Sequence, residues 1–289
     1  MSNPIDAPDV RAAGSEKQSR TPPPAGAAWQ RRLLEVSSND PVGAYSLLVL
    51  ADPDGRAPAP GQFAMIAAAQ GWGGGEQGRP FLARALSYAR WREGEAHFLL
   101  EDVGPGTRRL CELRAGERVW ALAPLGRGFS APAPGCRAIL VGGGVGIAPL
   151  AILQDSLAQP ATVLLGFRDA ARAEGARLLA GAHVCSDDGS VGERALVTEL
   201  LARELAGEQE AVVYSCGPAP MLEAVRALCE SAGVPAQLAL EAPMACGFGA
   251  CYGCAVPARD GGYLRVCVDG PVLDAALLAS VDEHAGAGA

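Results

Sequence analysis

Four cysteines near the C-terminal end constrain this chain more than any other feature of its sequence. Cys246, Cys251, Cys254 and Cys267 follow one another with the spacing C-x4-C-x2-C-x12-C. Four thiolates at these intervals suit a [2Fe–2S] cluster, and the x4 run followed by x2 is the plant-type ferredoxin spacing. The spacing therefore predicts a loop that holds an iron–sulfur cluster and carries one electron at a time.

The glycines between these cysteines favour the same interpretation. Gly247, Gly249 and Gly253 permit a tight loop whose main-chain N–H groups approach the sulfurs. A structural zinc site is the alternative, since it also uses four thiolates, but zinc ribbons usually carry two separated C-x2-C pairs. A disulfide framework fits less well, because we expect no secretory signal ahead of the nine cysteines.

Composition excludes several classes of function. The chain has 289 residues, of which 49% are hydrophobic and 19% charged, as in a soluble protein with two or three packed cores. Its net charge of −8 argues against nucleic-acid binding, which needs clustered Lys and Arg. We find no apolar stretch long enough to span a bilayer and expect a cytoplasmic location.

Changes in residue pattern divide the chain into four segments. Residues 1–28 are polar and rich in Pro, Gly and Ala, which predicts a disordered tail. Short apolar runs with turn signals across 29–134 predict an antiparallel β-barrel. Alternating strands and helices across 135–236 predict a parallel, doubly wound sheet, and 237–289 holds the cysteines and a short strand pair. The expected fold class is thus a multidomain α+β and α/β protein.

A glycine-rich turn follows the first strand of the α/β segment. The strand Arg137–Val141 leads into this turn, and a helix over Ala148–Leu157 follows it. The turn contains Gly142, Gly143, Gly144 and Gly146. Such a turn lets phosphates approach main-chain N–H groups at a helix N-terminus. It departs from the G-x-G-x-x-G pattern because its sixth position is Ile147.

A second turn has the same placement at the end of a strand. Cys216, Gly217 and Pro218 follow the strand Val212–Ser215. Ligands of parallel sheets bind at the carboxyl ends of strands, so the two turns together predict a nucleotide site. Taken alone, this second turn is also compatible with an ordinary strand-to-helix connection.

The barrel segment contains a candidate anion site. Arg84 opens the strand Arg84-Ala85-Leu86-Ser87, and its planar guanidinium suits a pyrophosphate. Gly106 and Thr107, at the start of a helical stretch, offer N–H and hydroxyl donors. In isolation, an Arg and a Ser on a strand also fit a plain exposed face.

These motifs, in this order, resemble the ferredoxin-reductase superfamily, and most closely the electron-transfer subunits of NAD-dependent dihydroorotate dehydrogenases. The resemblance covers about residues 30 to 275 and includes two further motifs, Pro124–Phe129 and Asp187-Asp188-Gly189-Ser190. One departure is Ala85, where the family has proline, so the backbone of that strand is less fixed than in the family.

The resemblance implies three bound groups and a partner. It implies FAD at Arg84, Ala85, Leu86, Ser87, Leu99, Leu100, Glu101, Gly106 and Thr107. It implies NAD at the two turns (Gly142, Gly143, Gly144, Gly146, Cys216, Gly217 and Pro218) and a [2Fe–2S] cluster on Cys246, Cys251, Cys254 and Cys267. The implied partner is an FMN-containing catalytic subunit that oxidises dihydroorotate to orotate in pyrimidine biosynthesis, in a heterotetramer of two copies of each subunit. Phe248 and Tyr252 are candidate docking contacts, and no residue of this chain is predicted to be catalytic.

Several alternatives remain open at this point. Flavin subunits of ferredoxin:NADP oxidoreductases and of sulfhydrogenase-type complexes also resemble the chain, and a zinc-stabilised nucleotide-binding regulator is a non-redox hypothesis. The choice between NAD and NADP is open, because Arg168 suits a 2′-phosphate and Asp169 beside it repels one. We favour NAD. The remaining cysteines, Cys111, Cys136, Cys185 and Cys229, are expected to be small buried side chains.

Overall fold

The computed structural model describes residues 29–73, 79–207 and 210–281 of the 289-residue chain. The disordered tail predicted for residues 1–28 lies outside the described residues. Within the described ranges, none of the helices has both the length and the apolar character needed to cross a lipid bilayer.

Six antiparallel strands close into a barrel in the first part of the chain. They are β1 (Gln30–Val42), β2 (Tyr45–Ala51), β3 (Phe63–Ala68), β4 (Arg84–Arg92), β5 (Glu95–Glu101) and β6 (Arg118–Leu125). The strand order is β1-β2-β5-β4-β3-β6, and β1 pairs with β6 to complete the closure. The hairpin between β4 and β5 turns through Glu93 and Gly94, both with positive φ (51° and 81°), as a two-residue type I′ turn requires.

Alternation along these strands fills the barrel with apolar side chains. Leu48, Leu50, Ile66, Tyr88 and Phe98 are almost completely buried in its interior. Helix α1 (Pro105–Cys111) begins with proline in its first turn, where a missing N–H costs no helical hydrogen bond, and buries Leu110 against the same core. The barrel is therefore a packed scaffold whose ligands must lie on its outer surface.

A seven-stranded sheet follows the barrel. Its strands in chain order are β7 (Arg137–Gly143), β8 (Thr162–Phe167), β9 (Ala182–Ser186), β10 (Glu193–Arg194), β11 (Ala211–Cys216), β12 (Ala236–Ala239) and β15 (Val272–Asp274). Their order across the sheet is β10-β9-β8-β7-β11-β12-β15, and all neighbours are parallel except β12 and β15. The central strands β7 and β11 are buried along nearly their whole length, because helices cover both faces of such a sheet.

The connections of the sheet are helical. They are α2 (Ala148–Ser156), α3 (Ala170–Ala173), α4 (Val197–Leu205) and α5 (Ala219–Ala232), with 3-10 turns at Gly144–Ile147, Glu174–Leu178 and Ala275–Leu277. Helix α5 is capped by Gly233, whose left-handed backbone (φ 67°) lets its N–H donate to the carbonyls of Cys229 and Glu230.

The C-terminal segment is joined to both the barrel and the sheet. It contains the antiparallel pair β13 (Ala255–Pro257) and β14 (Tyr263–Arg265), and then β15. The Arg127 N–H, just after β6, donates to the Gly270 carbonyl at 2.6 Å. One apolar core contains Met65 of the barrel, Val213 of the sheet and Val266 of this segment. The three parts of the chain consequently share buried contacts.

The predicted fold class is confirmed: an antiparallel barrel, a mostly parallel sheet with helices on its faces, and a C-terminal cluster-binding segment. Two details of the sequence prediction are wrong. Gly142 and Gly143 belong to strand β7, and the turn proper starts at Gly144. Cys111 and Cys136 are only half-buried, whereas Cys185 and Cys229 are buried as expected.

Candidate functional site

A cavity of about 910 Å³ lies between the barrel and the sheet, near the upper end of the roughly 300–1,000 Å³ range of cofactor sites. Strands β4 and β5 form its barrel side, and the start of α2 with the ends of β11 and β12 forms the other side. The predicted site residues that line it are Arg84, Ala85, Leu86, Ser87, Leu99, Leu100, Glu101, Gly146, Thr107 and Cys216. We call it the larger cavity.

Arg84 supplies a positive charge to the wall of the larger cavity. Its guanidinium donates to the Leu82 carbonyl, and its Cζ stands 5.6 Å from the centre of the Trp72 ring. A Cβ at Gly106 would lie 2.3 Å from Arg84 Nε, so a larger residue at this position would displace the guanidinium. Gly106 therefore acts by making room for Arg84, while Thr107 lines the cavity itself. A guanidinium held over an open cavity fits a phosphate-bearing cofactor.

The alanine in place of the family proline leaves its strand in regular geometry. Ala85 pairs with Met65 in the antiparallel ladder between β3 and β4, and its neighbours Leu86 and Ser87 pair with Ala64 and Phe63. Cross-strand pairing in this ladder fixes the backbone of β4. A proline ring at position 85 would instead fix the φ angle of that one residue.

A second cavity, of about 640 Å³, lies at the carboxyl edge of the parallel sheet. The predicted residues that line it are Gly143, Gly144, Gly146, Gly217 and Pro218. Gly142 does not line it; a Cβ there would point at the side chains of Leu165 and Leu150, so this glycine serves packing within the sheet. We call this the smaller cavity. Its glycine turn at the end of a parallel strand fits a dinucleotide.

The two cavities meet where the two turns touch. Gly146 lines both, and a Cβ on it would stand 2.6 Å from the Gly217 nitrogen and 2.7 Å from the Cys216 carbonyl carbon. Main chain therefore lies directly on main chain, which only glycine permits. Cys216 is fully buried beside this contact, and burial raises the pKa of its thiol well above the usual value. A protonated, buried thiol fits the packing role expected for Cys216.

Glu241, which sequence reasoning missed, also lines both cavities. It lies two residues beyond the end of β12, at the same carboxyl edge of the sheet as the two turns. Its side chain is exposed to solvent, yet it stands between the walls of both cavities. The protein atoms packed around it disfavour the charged form and raise the pKa of its carboxyl group. A carboxyl residue just beyond a strand at this edge was the available sequence signal.

An ion-pair group links the barrel to the sheet across the mouth of the smaller cavity. Arg172 donates to Glu101 Oε1 at 2.7 Å through one terminal nitrogen and to Asp169 Oδ2 at 2.6 Å through the other. Asp169 also accepts from the Arg172 N–H as the N-cap of α3. Hydrogen bonding to the guanidinium raises the pKa of Arg172. Arg172 was not predicted, because its partner Glu101 is distant in sequence.

The cysteine loop, residues 246–254, brings the predicted metal ligands together with Cys267. Cys254 and Cys267 are buried, Cys246 is half-buried and Cys251 is exposed. The Cys267 N–H points at Cys254 Sγ (3.4 Å), and the Gly253 N–H points at Cys251 Sγ (3.5 Å). Main-chain donors aimed at sulfurs are what a thiolate-bound cluster requires.

Electrostatics distinguish the cysteines of this group. Burial acts to raise the pKa of Cys246, but N–H groups of Cys251 and Phe248 outweigh it and lower the pKa to about 6. Burial, with the Cys254 thiol next to it, raises the pKa of Cys267 to about 12. Within the described ranges, no three His, Cys, Asp or Glu side chains gather closely enough for a single ion. Four thiolates at the x4, x2 and x12 spacing, with main-chain N–H groups aimed at two of the sulfurs, fit a [2Fe–2S] cluster better than tetrahedral zinc.

Glycines seat the cysteine loop against its surroundings. Gly247 has φ 79°, and a Cβ on it would lie 2.4 Å from Met65 Cγ of the barrel. Ala245, just ahead of the loop, and Gly253 line the larger cavity. The loop therefore forms one wall of the cavity into which Arg84 points.

The outer side of the cysteine loop carries exposed aromatic rings. Phe248 is exposed and lies against Trp29, with ring centroids 5.4 Å apart. Tyr252 is 62% exposed and adopts a left-handed backbone (φ 60°), with the Arg265 guanidinium 5.3 Å from its ring centre. These three aromatic side chains and the exposed Cys251 form one surface, which we call the aromatic face.

A family model and two related proteins agree on what this chain resembles. A family model described as the iron-sulfur cluster binding domain of dihydroorotate dehydrogenase B matches residues 241–279. The chain is similar to the electron transfer subunit of dihydroorotate dehydrogenase B (NAD(+)) from Caldanaerobacter subterraneus subsp. tengcongensis, with 40% identity over 75% of this chain and 86% of the relative. The corresponding Bacillus velezensis subunit is 33% identical over 84% of this chain and 96% of its own length.

Solved structures share the fold. The structure of an NADH-dependent reduced ferredoxin-NADP oxidoreductase superimposes with a TM-score of 0.72 and 24% identity, covering 84% of this chain and 88% of that one. The ferredoxin reductase of carbazole 1,9a-dioxygenase gives a TM-score of 0.60 and 22% identity over 72% of this chain and 68% of its own. At these identities the comparison establishes the architecture alone.

We expect Gly146→Ala to damage the junction of the two cavities. Its methyl group would collide with the main chain of Cys216 and Gly217, and such overpacking lowers the free energy of unfolding by about 1–3 kcal/mol. Chemical denaturation measures this loss. Gly207→Ala is the matched control, because its Cβ meets only an ordinary contact at 3.5 Å. Equal stability of the two variants would contradict the close contact.

Cys254→Ser should abolish cluster binding. The serine hydroxyl is a poor iron ligand, so iron and acid-labile sulfide should fall from about two of each per chain to near zero. Cys229→Ala, at a buried cysteine outside the quartet, should keep both. Elemental analysis of anaerobically purified protein gives the answer. Zinc at one per chain in the unsubstituted protein would overturn the cluster assignment.

Proposed function

Because the chain belongs to the family of electron transfer subunits of NAD(+)-dependent dihydroorotate dehydrogenase B, we propose that it relays electrons between a catalytic partner subunit and NAD. The observation that carries the proposal is the position of the larger cavity. The glycine turn and Cys216 bound it on one side, and Ala245 and Gly253 of the cluster-binding segment bound it on the other. A cofactor in this cavity would contact both the nucleotide site and the cluster site.

We propose a place for each bound group. FAD would lie in the larger cavity, with its pyrophosphate at Arg84; NAD would lie in the smaller cavity against Gly144 and Gly146; and the four cysteines would hold the cluster. When bound, FAD exchanges a hydride with NAD and single electrons with the cluster. The chain's own contribution is to bind and orient these groups, since Cys216 is buried and no acid–base pair is assigned a chemical step.

We propose that the partner is an FMN-containing subunit that oxidises dihydroorotate to orotate, a step of pyrimidine biosynthesis, in a heterotetramer of two copies of each subunit. The names of the relatives support a catalytic partner. We also propose a cytoplasmic location, because the nine cysteines, all of which lie in the described ranges, form no disulfide, as in a reducing compartment. The domain limits 29–134, 135–236 and 237–289 stay a prediction. Strand β12 spans the limit between residues 236 and 237.

The aromatic face is the surface we propose for the partner. Cys251 is the most exposed of the four cysteines, so electrons enter or leave the cluster on that side. Around it, Trp29, Phe248 and Tyr252 expose between 44% and 62% of their surface. Exposed aromatic side chains are enriched in protein–protein interfaces, where they supply most of the binding energy.

Two alternative functions have less support. One alternative is a ferredoxin:NADP oxidoreductase or sulfhydrogenase-type subunit. A ferredoxin-NADP oxidoreductase shares the fold, yet the relatives that cover most of the chain carry the dihydroorotate dehydrogenase name. A zinc-stabilised nucleotide-binding regulator has less support, because the family model that matches residues 241–279 describes an iron-sulfur cluster binding domain.

Reconstitution with a partner tests the function. The chain, loaded with FAD and iron, is mixed anaerobically with the dihydroorotate-oxidising subunit encoded by the same organism, and NADH formation is followed at 340 nm. We expect dihydroorotate to drive NAD⁺ reduction only when both subunits are present. Reduction by the partner alone, or none by a complex that has formed, would contradict the relay.

Tyr252→Glu should weaken docking and leave the flavin side intact. A charge on the aromatic face should lower dihydroorotate-driven NAD⁺ reduction by about tenfold at limiting partner, through a weaker complex. NADH oxidation with ferricyanide, which needs no partner, should be unchanged. Ala202→Glu adds the same charge on the exposed side of α4, which packs at the opposite part of the sheet from β15, and serves as the control. Equal losses in both variants would argue against this face.

A further inference from the structure

We propose that Glu101 and Arg172 form a positioning pair for hydride transfer, because their ion pair holds the barrel and the sheet at a fixed separation where the two cavities meet. The inference rests on the proposed function, since it assumes FAD in the larger cavity and NAD in the smaller one. The step that the pair serves is the transfer of a hydride, with its two electrons, from NADH to FAD, which leaves NAD⁺ and the reduced flavin anion.

The pair stands at the border between the two cavities. Glu101 is the last residue of β5 and lines both cavities, whereas Arg172 belongs to α3 and lines the smaller one. A hydride moves efficiently only when its donor and acceptor atoms lie about 3–3.5 Å apart. A contact that sets the spacing of the two walls at this border therefore sets the spacing of the nicotinamide and flavin rings.

All three nitrogens of the Arg172 guanidinium are used, which fixes its orientation. Nε and one terminal nitrogen donate to Glu101 Oε1 at 3.0 and 2.7 Å, and the other terminal nitrogen donates to Asp169 Oδ2 at 2.6 Å. The Arg172 and Glu101 side chains are only 28% and 19% exposed, so salt screens their attraction less than that of a surface pair. The planar fork thus ties the end of a barrel strand to the N-cap of a helix on the sheet.

Main-chain carbonyls hold the same part of the sheet to the barrel away from the cavities. The Ala44 N–H donates to the Ala171 carbonyl at 2.9 Å, and Arg177 donates to the Pro41 carbonyl at 3.2 Å. The cavity linings contain Arg172 but none of these four residues. Loss of the ion pair would consequently release α3 at its cavity end, while the hairpin between β1 and β2 still holds the rest of the segment.

The side chain beside Glu101 cannot take the place of the arginine. Tyr45 pairs with Glu101 across β2 and β5, and its buried hydroxyl has no hydrogen-bond partner among the described residues. Burial, followed by the charge of Glu101, raises the pKa of Tyr45, so the hydroxyl stays neutral. Since Tyr45 belongs to the barrel, a hydrogen bond from it to Glu101 would not restrain α3.

The ion pair of Arg137 and Glu204 is the matched control for a merely structural role. It lies away from both cavities, its N–O distance is also 2.7 Å, and its side chains are 26% and 33% exposed. We therefore expect Glu204→Gln and Glu101→Gln to lower the midpoint of urea denaturation of the FAD- and cluster-loaded chain by similar amounts.

Only the pair at the cavities should affect the approach of the two rings. In anaerobic stopped-flow mixing with saturating NADH, we expect Glu101→Gln and Arg172→Gln each to slow flavin reduction by about tenfold, and Glu204→Gln to leave the rate unchanged. The long-wavelength charge-transfer absorbance of nicotinamide stacked on flavin should weaken in the same two variants. Because both variants break one contact, the double variant should be no slower than either single variant.

The outcomes separate the two proposals. An unchanged rate in Glu101→Gln and Arg172→Gln, multiplying effects in the double variant, or an equal slowing in Glu204→Gln would overturn the positioning role and leave the relay standing. A slowing of Arg172→Gln that saturating NADH abolishes would do the same, because it marks a direct contact with the dinucleotide. If Glu101→Gln loses FAD, Arg172→Gln decides, since Arg172 does not line the larger cavity. If the unsubstituted chain retains FAD and iron but is not reduced by NADH, the proposed function fails along with this inference.

Discussion

The contact of Gly146 with the main chain of Cys216 and Gly217 is the constraint on which the rest of the site depends. At this contact the backbones that follow β7 and β11 touch each other. The two cavities meet at the same place, because Gly146 lines both of them. A side chain at this point would wedge the turns apart. The barrel then adds the opposite wall, with Glu101 joined to the sheet through Arg172.

The cluster segment is built into this frame as a third wall. Its strand β15 pairs with β12 in the main sheet, its Gly270 carbonyl accepts from Arg127 next to the barrel, and its Gly247 lies on Met65. Displacing the segment would therefore disturb barrel and sheet together. An electron relay gains from this arrangement, because its three binding sites keep fixed separations without a hinge between them.

Sequence patterns predicted the features that depend on local chemistry. The cysteine spacing, the glycine turn and the alternation of strand and helix each follow from residues close together in the chain, and the cofactors of the family follow from them. Features made by distant residues were missed. Arg172 was missed because its ion-pair partner, Glu101, lies on the barrel. Glu241 was missed because it matters only where the two cavities meet. Strand β15 was missed because it forms by pairing with β12.

The contact between Trp29 and Phe248 has a consequence for biogenesis. These rings come from opposite ends of the described chain, and Gly247 likewise needs Met65 of the barrel. The barrel, formed by residues 30–125, and most of the sheet can fold while the chain is still being synthesised, since domains form from the N-terminus onward. The cysteines follow these elements along the chain and pack on a surface that the barrel has built. Iron–sulfur insertion would then depend on the prior folding of the barrel that seats the cysteine loop.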